Sequence, residues 1–296
     1  MQKILEIHQL TKHYGRIKAV NNLDIEVEKG QVFGLLGPNG SGKTTTLAVI
    51  MGVIPPQSGT FSWFGNSGNN SSWKRKVGSL IEVPNFYPYL SLFNNLKIIA
   101  GIKEVHVDDI ERVLKITRLD KRKHSSYSTL SLGMKQRLAF ASVLLGDPEV
   151  MVLDEPTNGL DPEGIAEVRT IIQQEAGKGK TVILASHILA EVEKVCTHVA
   201  VLKEGELLAR GRVNELLGAE QIFLISASEI NRLEEPLSRA GMVKSLEWKG
   251  DELVVVCNPS TSASEINKFA FENGVVLSKL LLVQKSLEAQ FLELVK

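Results

Sequence analysis

The sequence predicts an α/β protein with a parallel sheet covered on both faces, followed by a small α+β domain. Three observations predict it. Short, nearly all-apolar runs recur at residues 31–36, 150–153 and 181–185, the composition of strands buried on both sides. The first run passes directly into a Gly-rich turn and then a helix from about Lys43. Beyond Leu217-Gly218, strand and helix signals follow in the order β-α-β-β-α-β.

The chain opens with alternating apolar residues at 4–10 and again at Leu23, Ile25 and Val27, as in half-buried antiparallel strands. Helical periodicity governs 91–119 and 132–145, so a helical subdomain at about 84–145 is inserted between two halves of the α/β core. That places an α/β domain over 1–218 and an accessory α+β domain over 219–296. In the latter, strands are expected at 222–225, 243–248, 253–256 and 275–282, with helices at 229–240, 263–273 and 286–295. Lys249-Gly250-Asp251 supplies a hairpin turn, and the whole reads as a ferredoxin-like domain with a trailing helix. Residues 66–72 read as a polar loop, and Trp63, Trp73 and Trp248 as packing residues.

The 296 residues include 34 basic and 34 acidic side chains, a net charge of zero. Nucleic-acid binders usually carry a basic excess, because phosphate neutralisation supplies their affinity, so no nucleic-acid partner is expected. Cys196 and Cys257 lack metal-ligand spacing and read as incidental thiols of a reduced, cytoplasmic protein. Neither a secretory signal nor an apolar run long enough to span a bilayer is read.

The turn Gly37-Pro38-Asn39-Gly40-Ser41-Gly42-Lys43-Thr44-Thr45 satisfies the phosphate-loop pattern G-x-x-x-x-G-K-[ST]. Its glycines let backbone N–H groups turn inward around phosphate oxygens, and the next helix points its positive end at them. Lys43 is placed to reach the β- and γ-phosphates, and the Thr44 hydroxyl to ligate Mg²⁺. The apolar strand at 150–153 ends in Asp154-Glu155, which brings one carboxylate to a metal and leaves a second beside it. Together these define a P-loop NTPase core.

With both motifs placed, the remaining punctuation resembles the ABC ATPase family over roughly residues 4–215. Residues 130–137, Leu-Ser-Leu-Gly-Met-Lys-Gln-Arg, resemble the family signature. Gly159-Leu160-Asp161-Pro162 resembles the D-loop, and Ser186-His187 the switch histidine. Tyr14 stands where the family places an adenine-stacking aromatic. The resemblance implies Mg-ATP sandwiched between the P-loop of one cassette and Ser131 and Gly133 of an opposing one. It further implies that Glu155 polarises the attacking water, that His187 contacts the γ-phosphate, and that Asp161 belongs to the nucleotide-binding set. Asp161 also suits a helix N-cap before Pro162.

Two motifs depart from the family pattern. Leu132 and Met134 replace glycine and glutamine in the signature, and Glu82 stands where the glutamine of the metal-contacting Q-loop is usual. Both departures resemble the exporter branch that includes bacitracin-resistance ATPases. The resemblance implies a separate membrane permease, docked near the run 86–96, a homodimer or heterodimer of ATPase subunits, and a place at the inner face of the plasma membrane. The competing reading is a soluble ABC ATPase acting on a macromolecular complex. Translation-type members usually carry two cassettes, and chromosome-type members a long coiled coil, features this sequence lacks. A GTPase or small-molecule kinase is opposed by the signature, and a dead regulator by intact Lys43, Asp154, Glu155 and His187.

Overall fold

The computed structural model describes residues 2–68, 71–82, 85–216 and 221–283. It divides into two compact units, one ending at Val213 and one beginning at Asn214. The boundary expected at 218, the exact start of the helical insertion at 84, and the trailing helix at 286–295 lie outside the described residues.

The first unit begins β1 (Lys3–Tyr14), β2 (Ile17–Glu28), β3 (Val32–Leu36), α1 (Lys43–Ile50), β4 (Ser58–Trp63), β5 (Asn66–Ser67) and β6 (Val77–Leu80). Three helices follow, α2 (Leu92–Lys103), α3 (Asp109–Ile116) and α4 (Leu132–Leu144). The chain then returns through β7 (Val150–Asp154), α5 (Pro162–Gly177), β8 (Thr181–Ser186), α6 (Leu189–Val195), β9 (His198–Lys203) and β10 (Glu206–Arg212), with α7 (Val213–Leu216) at the unit boundary.

Six strands form one sheet in the order β10-β9-β3-β8-β7-β6. Every residue of β3, β7 and β8 is buried, which is why these strands read as unbroken apolar runs. All pairs are parallel except β9 with β10. The sequence reading did not mark β9 or β10. The latter alternates exposed and half-buried residues, as an antiparallel edge strand does.

The second sheet, β2-β1-β4-β5, is antiparallel. Residues 66–67, expected in a loop, pair instead with Trp63 and Ser62. Phe64 and Gly65 both adopt left-handed backbone at φ 53° and 74°, the conformation of a two-residue hairpin turn. Trp63 and Trp73 are fully buried and stacked, ring centroids 5.5 Å apart, whereas Trp248 remains 38% exposed. One apolar cluster joins β1, β2 and β4 to β3, α1, β7 and β8, so α1 and the loop before it are seated on a continuous core.

Lys103 closes the far end of α4. Its ammonium donates to the carbonyls of Ser142, Val143 and Leu145 at 2.7, 3.4 and 3.3 Å, taking up acceptors a helix end leaves unmatched. Burial pulls this amine down to about 8.

The second unit holds β11 (Gln221–Ser226), α8 (Asn231–Arg239), β12 (Val243–Lys249), β13 (Glu252–Cys257), α9 (Ala263–Glu272) and β14 (Lys279–Val283). The sheet order is β12-β13-β11-β14, antiparallel throughout. Phe223, Ile225, Leu253 and Val255 pack with Leu233, Leu237 and Ile266 from the two helices. β14 starts four residues later than expected because Val275 serves another purpose. Gly274 at φ 76° turns the chain, Val275 N donates to Ala270 O at 3.0 Å, and its side chain enters the core. Among the described residues no helix is long and apolar enough to cross a membrane.

Buried Glu175 anchors the loop between α5 and β8. It pairs with Lys178 at 2.5 Å and Lys180 at 2.7 Å, and Lys180 reaches Asp147 at 2.5 Å. Burial alone raises the Glu175 carboxyl, but hydrogen bonds from both lysines outweigh it and hold the group below its ordinary 4.5. A carboxyl depressed by folding adds stability above its unfolded value and loses it as pH falls through the folded one. Thermal unfolding followed from about pH 7 to about pH 3 is therefore expected to show Glu175→Gln melting lower at neutral pH, by about 3 °C. The gap to the wild type closes in acid.

Candidate functional site

The phosphate loop is fixed at both ends by close backbone contacts. Gly37, leaving β3, has no room for a side chain, since a Cβ would overlap Leu202 O and Ser41. Gly42, at φ 102°, would drive a Cβ into Ala19 O, so only glycine fits either position. Between them Pro38 O accepts from Ser41 N at 3.1 Å, and Gly40 turns at φ 81°. No side chain caps α1. Its first N–H groups, with Thr44 exposed and Thr45 half-buried, stand at the mouth of the loop, a ready anion site.

The Lys43 side chain is buried inside this loop. Its ammonium donates to Gly37 O at 2.8 Å and Pro38 O at 3.2 Å, and lies 3.6 Å from Glu155 Oε1. Glu155 follows the last residue of β7 and adopts left-handed backbone at φ 45°, a strained conformation for glutamate. Its N–H bonds to Ala185 O on the neighbouring strand at 3.0 Å. Oε2 meets His187 Nδ1 at 2.8 Å. An ionised carboxylate only accepts, so Nδ1 carries the proton and Nε2 is left for another partner. Lys43, Glu155 and His187 thus form one continuous polar chain at the carboxyl ends of β3, β7 and β8, where α/β sheets bind ligands.

Asp154 is buried at the end of β7, and its Oδ1 has no hydrogen-bond partner. Loss of water raises its carboxyl above the ordinary 3.8, and the negative charges of Glu155 and Glu82 add to that; the Thr44 hydroxyl and Lys43 oppose them. Glu82, just beyond β6, is exposed and also left-handed at φ 61°. Thr44, Asp154 and Glu82 offer oxygen donors only, the set a hard divalent cation prefers.

Four expected residues, Ser131, Gly133, Asp161 and Tyr14, stand on other elements. Ser131 caps α4, its Oγ accepting from Met134 N at 3.3 Å, and both Ser131 and Leu132 are exposed. Among the described residues no hydrogen bond joins Ser131 or Gly133 to the phosphate loop. Asp161 caps α5 ahead of Pro162, accepting from Gly164 N at 2.9 Å, the capping role its sequence context suggested. Tyr14 ends β1 with its ring 49% exposed.

Gln136 was not singled out in the sequence, yet its Nε2 donates to Pro156 O at 2.7 Å and ties α4 to the turn after Glu155. Its place five residues after Ser131 on a helix was the available signal. Nothing in residue type foretold the left-handed backbones of Glu82 and Glu155, which tertiary context imposes.

A phosphate loop, an Asp-Glu strand end and a histidine bonded to that glutamate define a nucleoside-triphosphate hydrolase. The ABC transporter family model matches residues 20–158. The bacitracin transport ATP-binding protein BcrA of Bacillus licheniformis is 37% identical over 300 residues, covering 100% of this chain and 98% of that protein. The Nod factor export ATP-binding protein I of Cupriavidus metallidurans is 33% identical over 262 residues, 86% of each chain. A solved dimeric ATP-binding cassette, in a post-hydrolysis state bound to ADP and Pi, superposes with a TM-score of 0.65. It is 23% identical and covers 71% of this chain and 99% of that one, a likeness of fold. The chain belongs to the family of ABC transporter ATP-binding proteins. It binds and hydrolyses ATP.

A carboxyl whose pKa is raised by folding costs stability while ionised, and the cost disappears once pH falls below the unfolded value. Asp154→Asn without nucleotide is therefore expected to melt a few degrees higher than the wild type near pH 7, about 2–4 °C. The two should converge below about pH 4 in the same thermal scan.

Proposed function

We propose that this chain is the motor subunit of an ABC exporter, closing with a second cassette around Mg-ATP and driving a permease on a separate chain. The observation that carries the reading is the Lys43–Glu155–His187 chain at the mouth of a glycine-bounded loop. Triphosphate entering that loop meets Lys43, the uncapped amides of α1 and the Thr44 and Thr45 hydroxyls. Taking Lys43 away from Glu155 frees the carboxylate to accept a proton from the attacking water. His187 then offers Nε2 to the γ-phosphate while its Nδ1–H fixes the carboxylate. The unpartnered Asp154 oxygen, with Thr44 and Glu82, fits Mg²⁺, which when bound neutralises phosphate charge.

The signature region supports a composite site. Glycine inside a helix costs on the order of 1 kcal/mol against alanine, yet a Cβ on Gly133 would meet nothing within 4 Å. The helix of this chain has no steric need for that glycine. A phosphate approaching closely from a second subunit supplies one, with Ser131 Oγ and Gly133 N–H as donors at the positive end of α4. Asp161 lies in the loop that would face the partner, and Tyr14 offers a ring face to adenine. The second cassette is a copy of this chain or a paralogue.

Export and a permease partner rest on the relatives, which are named for bacitracin transport and Nod factor export. The segment after the Q-loop fits such a partner. Phe86 is buried against Tyr127, while Tyr87 and Tyr89 stay 48% and 75% exposed. Docked in this way, the chain works at the cytoplasmic face of the plasma membrane. The unit from Asn214 onward is an accessory domain that leaves nucleotide chemistry to the first unit.

Lys43→Ala is expected to cut ATP turnover by at least about 100-fold. Glu155→Gln should lose turnover to a similar degree, on the order of 100-fold, while keeping ATP affinity and eluting as an ATP-bound dimer in size exclusion. Turnover that survives Lys43→Ala, or a Glu155→Gln protein that stays monomeric in saturating Mg-ATP, would contradict the assignment.

A further inference from the structure

Tyr14 has two faces, and one is already occupied. The β1–β2 hairpin closes at Tyr14 paired with Ile17, Gly15 turning at φ 58°. The register shift between Lys12 and His13 leaves its extra residue, Ala19, on β2, so β1 runs on without a bulge. Alternation along the strand then puts Lys12, two residues back, on the same side as Tyr14. The Lys12 ammonium lies 5.6 Å from the centre of the Tyr14 ring. It is not free to wander, because it donates to Pro55 O at 2.8 Å, in the loop between α1 and β4. This end of β1 is held from the same loop: His13 N donates to the Gln57 side-chain oxygen, and Gln57 N to Thr11 O at 2.9 Å.

From this geometry we infer that Lys12 is a positioning residue for the nucleotide base. It clamps one face of Tyr14 and thereby presents the other face to adenine in a fixed orientation. The inference rests on Tyr14 as the adenine platform and adds to it a residue that touches neither base nor phosphate. Two physical effects act in one direction. An ammonium within about 6 Å of a ring centre is attracted to its electron-rich face, which restricts the rotation of a half-exposed tyrosine. The same charge draws electron density toward itself and favours stacking of the electron-rich purine on the far face. Because Pro55 follows the helix that starts at the phosphate loop, the clamp also ties the base platform to the element that grips the phosphates.

Lys12 is a charge near an anionic ligand, so the test must separate base from phosphate. Mg-ATP and Mg-tripolyphosphate are titrated by calorimetry into the full-length wild type, Lys12→Ala, Lys12→Arg, Tyr14→Ala and the Lys12→Ala/Tyr14→Ala double variant. Lys12→Ala is expected to weaken ATP about two- to fivefold, leave tripolyphosphate unchanged, and be rescued by Lys12→Arg. In the Tyr14→Ala background, removal of Lys12 is expected to have no further effect. Equal weakening of ATP and tripolyphosphate, or additive effects of the two alanines, would overturn the clamp and make Lys12 a plain electrostatic contributor. If Tyr14→Ala binds ATP as the wild type does, the platform reading itself fails, a result distinct from failure of the clamp.

Discussion

The site is organised by one constraint, a lysine ammonium held out of water. Burying a charge is costly unless it is matched, and Lys43 is matched by two carbonyls of its own loop and by Glu155. In the proposed reading a phosphate oxygen takes over from Glu155 as the partner of this ammonium. Holding the Gly37 and Pro38 carbonyls on this ammonium demands that the loop pass Leu202 and Ala19 with no side chain at Gly37 and Gly42. The same demand on Glu155 is met by a left-handed backbone and a bond from its amide to β8. Because Lys43 and Glu155 are in contact, the proposed binding of phosphate at Lys43 would also change what Glu155 can do.

The fold delivers these groups with little freedom. β3, β7 and β8 are adjacent, parallel and buried at every position, so their carboxyl ends open at one edge in fixed order. The antiparallel sheet adds Tyr14 from β1 through a core that it shares with α1. The helical insertion carries Ser131 and Gly133 at the exposed start of α4, and a hydrogen bond from Gln136 to Pro156 ties that helix to the turn after Glu155. A Cβ at Gly133 would meet nothing in its own chain, which fits the proposal that this end of α4 donates to nucleotide held by another subunit.

Much of this was legible in the residues. Continuous apolar runs gave the central strands, because burial on both faces leaves no room for polar alternation, and the phosphate loop declares itself by the glycines its contacts require. Asp161 was readable as an N-cap from Pro162 alone. The strands β9 and β10 were not recognised, since a short edge pair with half-buried alternation resembles a loop in composition. Residues 66–67 were missed for the opposite reason: Asn and Ser pair there only because Phe64 and Gly65 make the hairpin turn. The left-handed backbones of Glu82 and Glu155 were out of reach, since glutamate gives no sign of them; that of Glu155 is tied to Ala185, far away in sequence. Lys12 carried a weak signal, spaced two residues from Tyr14 on a strand, which only the position of Pro55 makes meaningful.

The claim that the buried ammonium is the grip for phosphate is tested most directly by comparing ATP, ADP and AMP on the wild-type protein by calorimetry. All three share the base that Tyr14 would hold, and they differ only in how far phosphate reaches into the loop. The account predicts that ATP and ADP bind at least about tenfold more tightly than AMP. Equal affinity for all three would show that the loop around Lys43 does not hold the phosphates, and the account would fall with it.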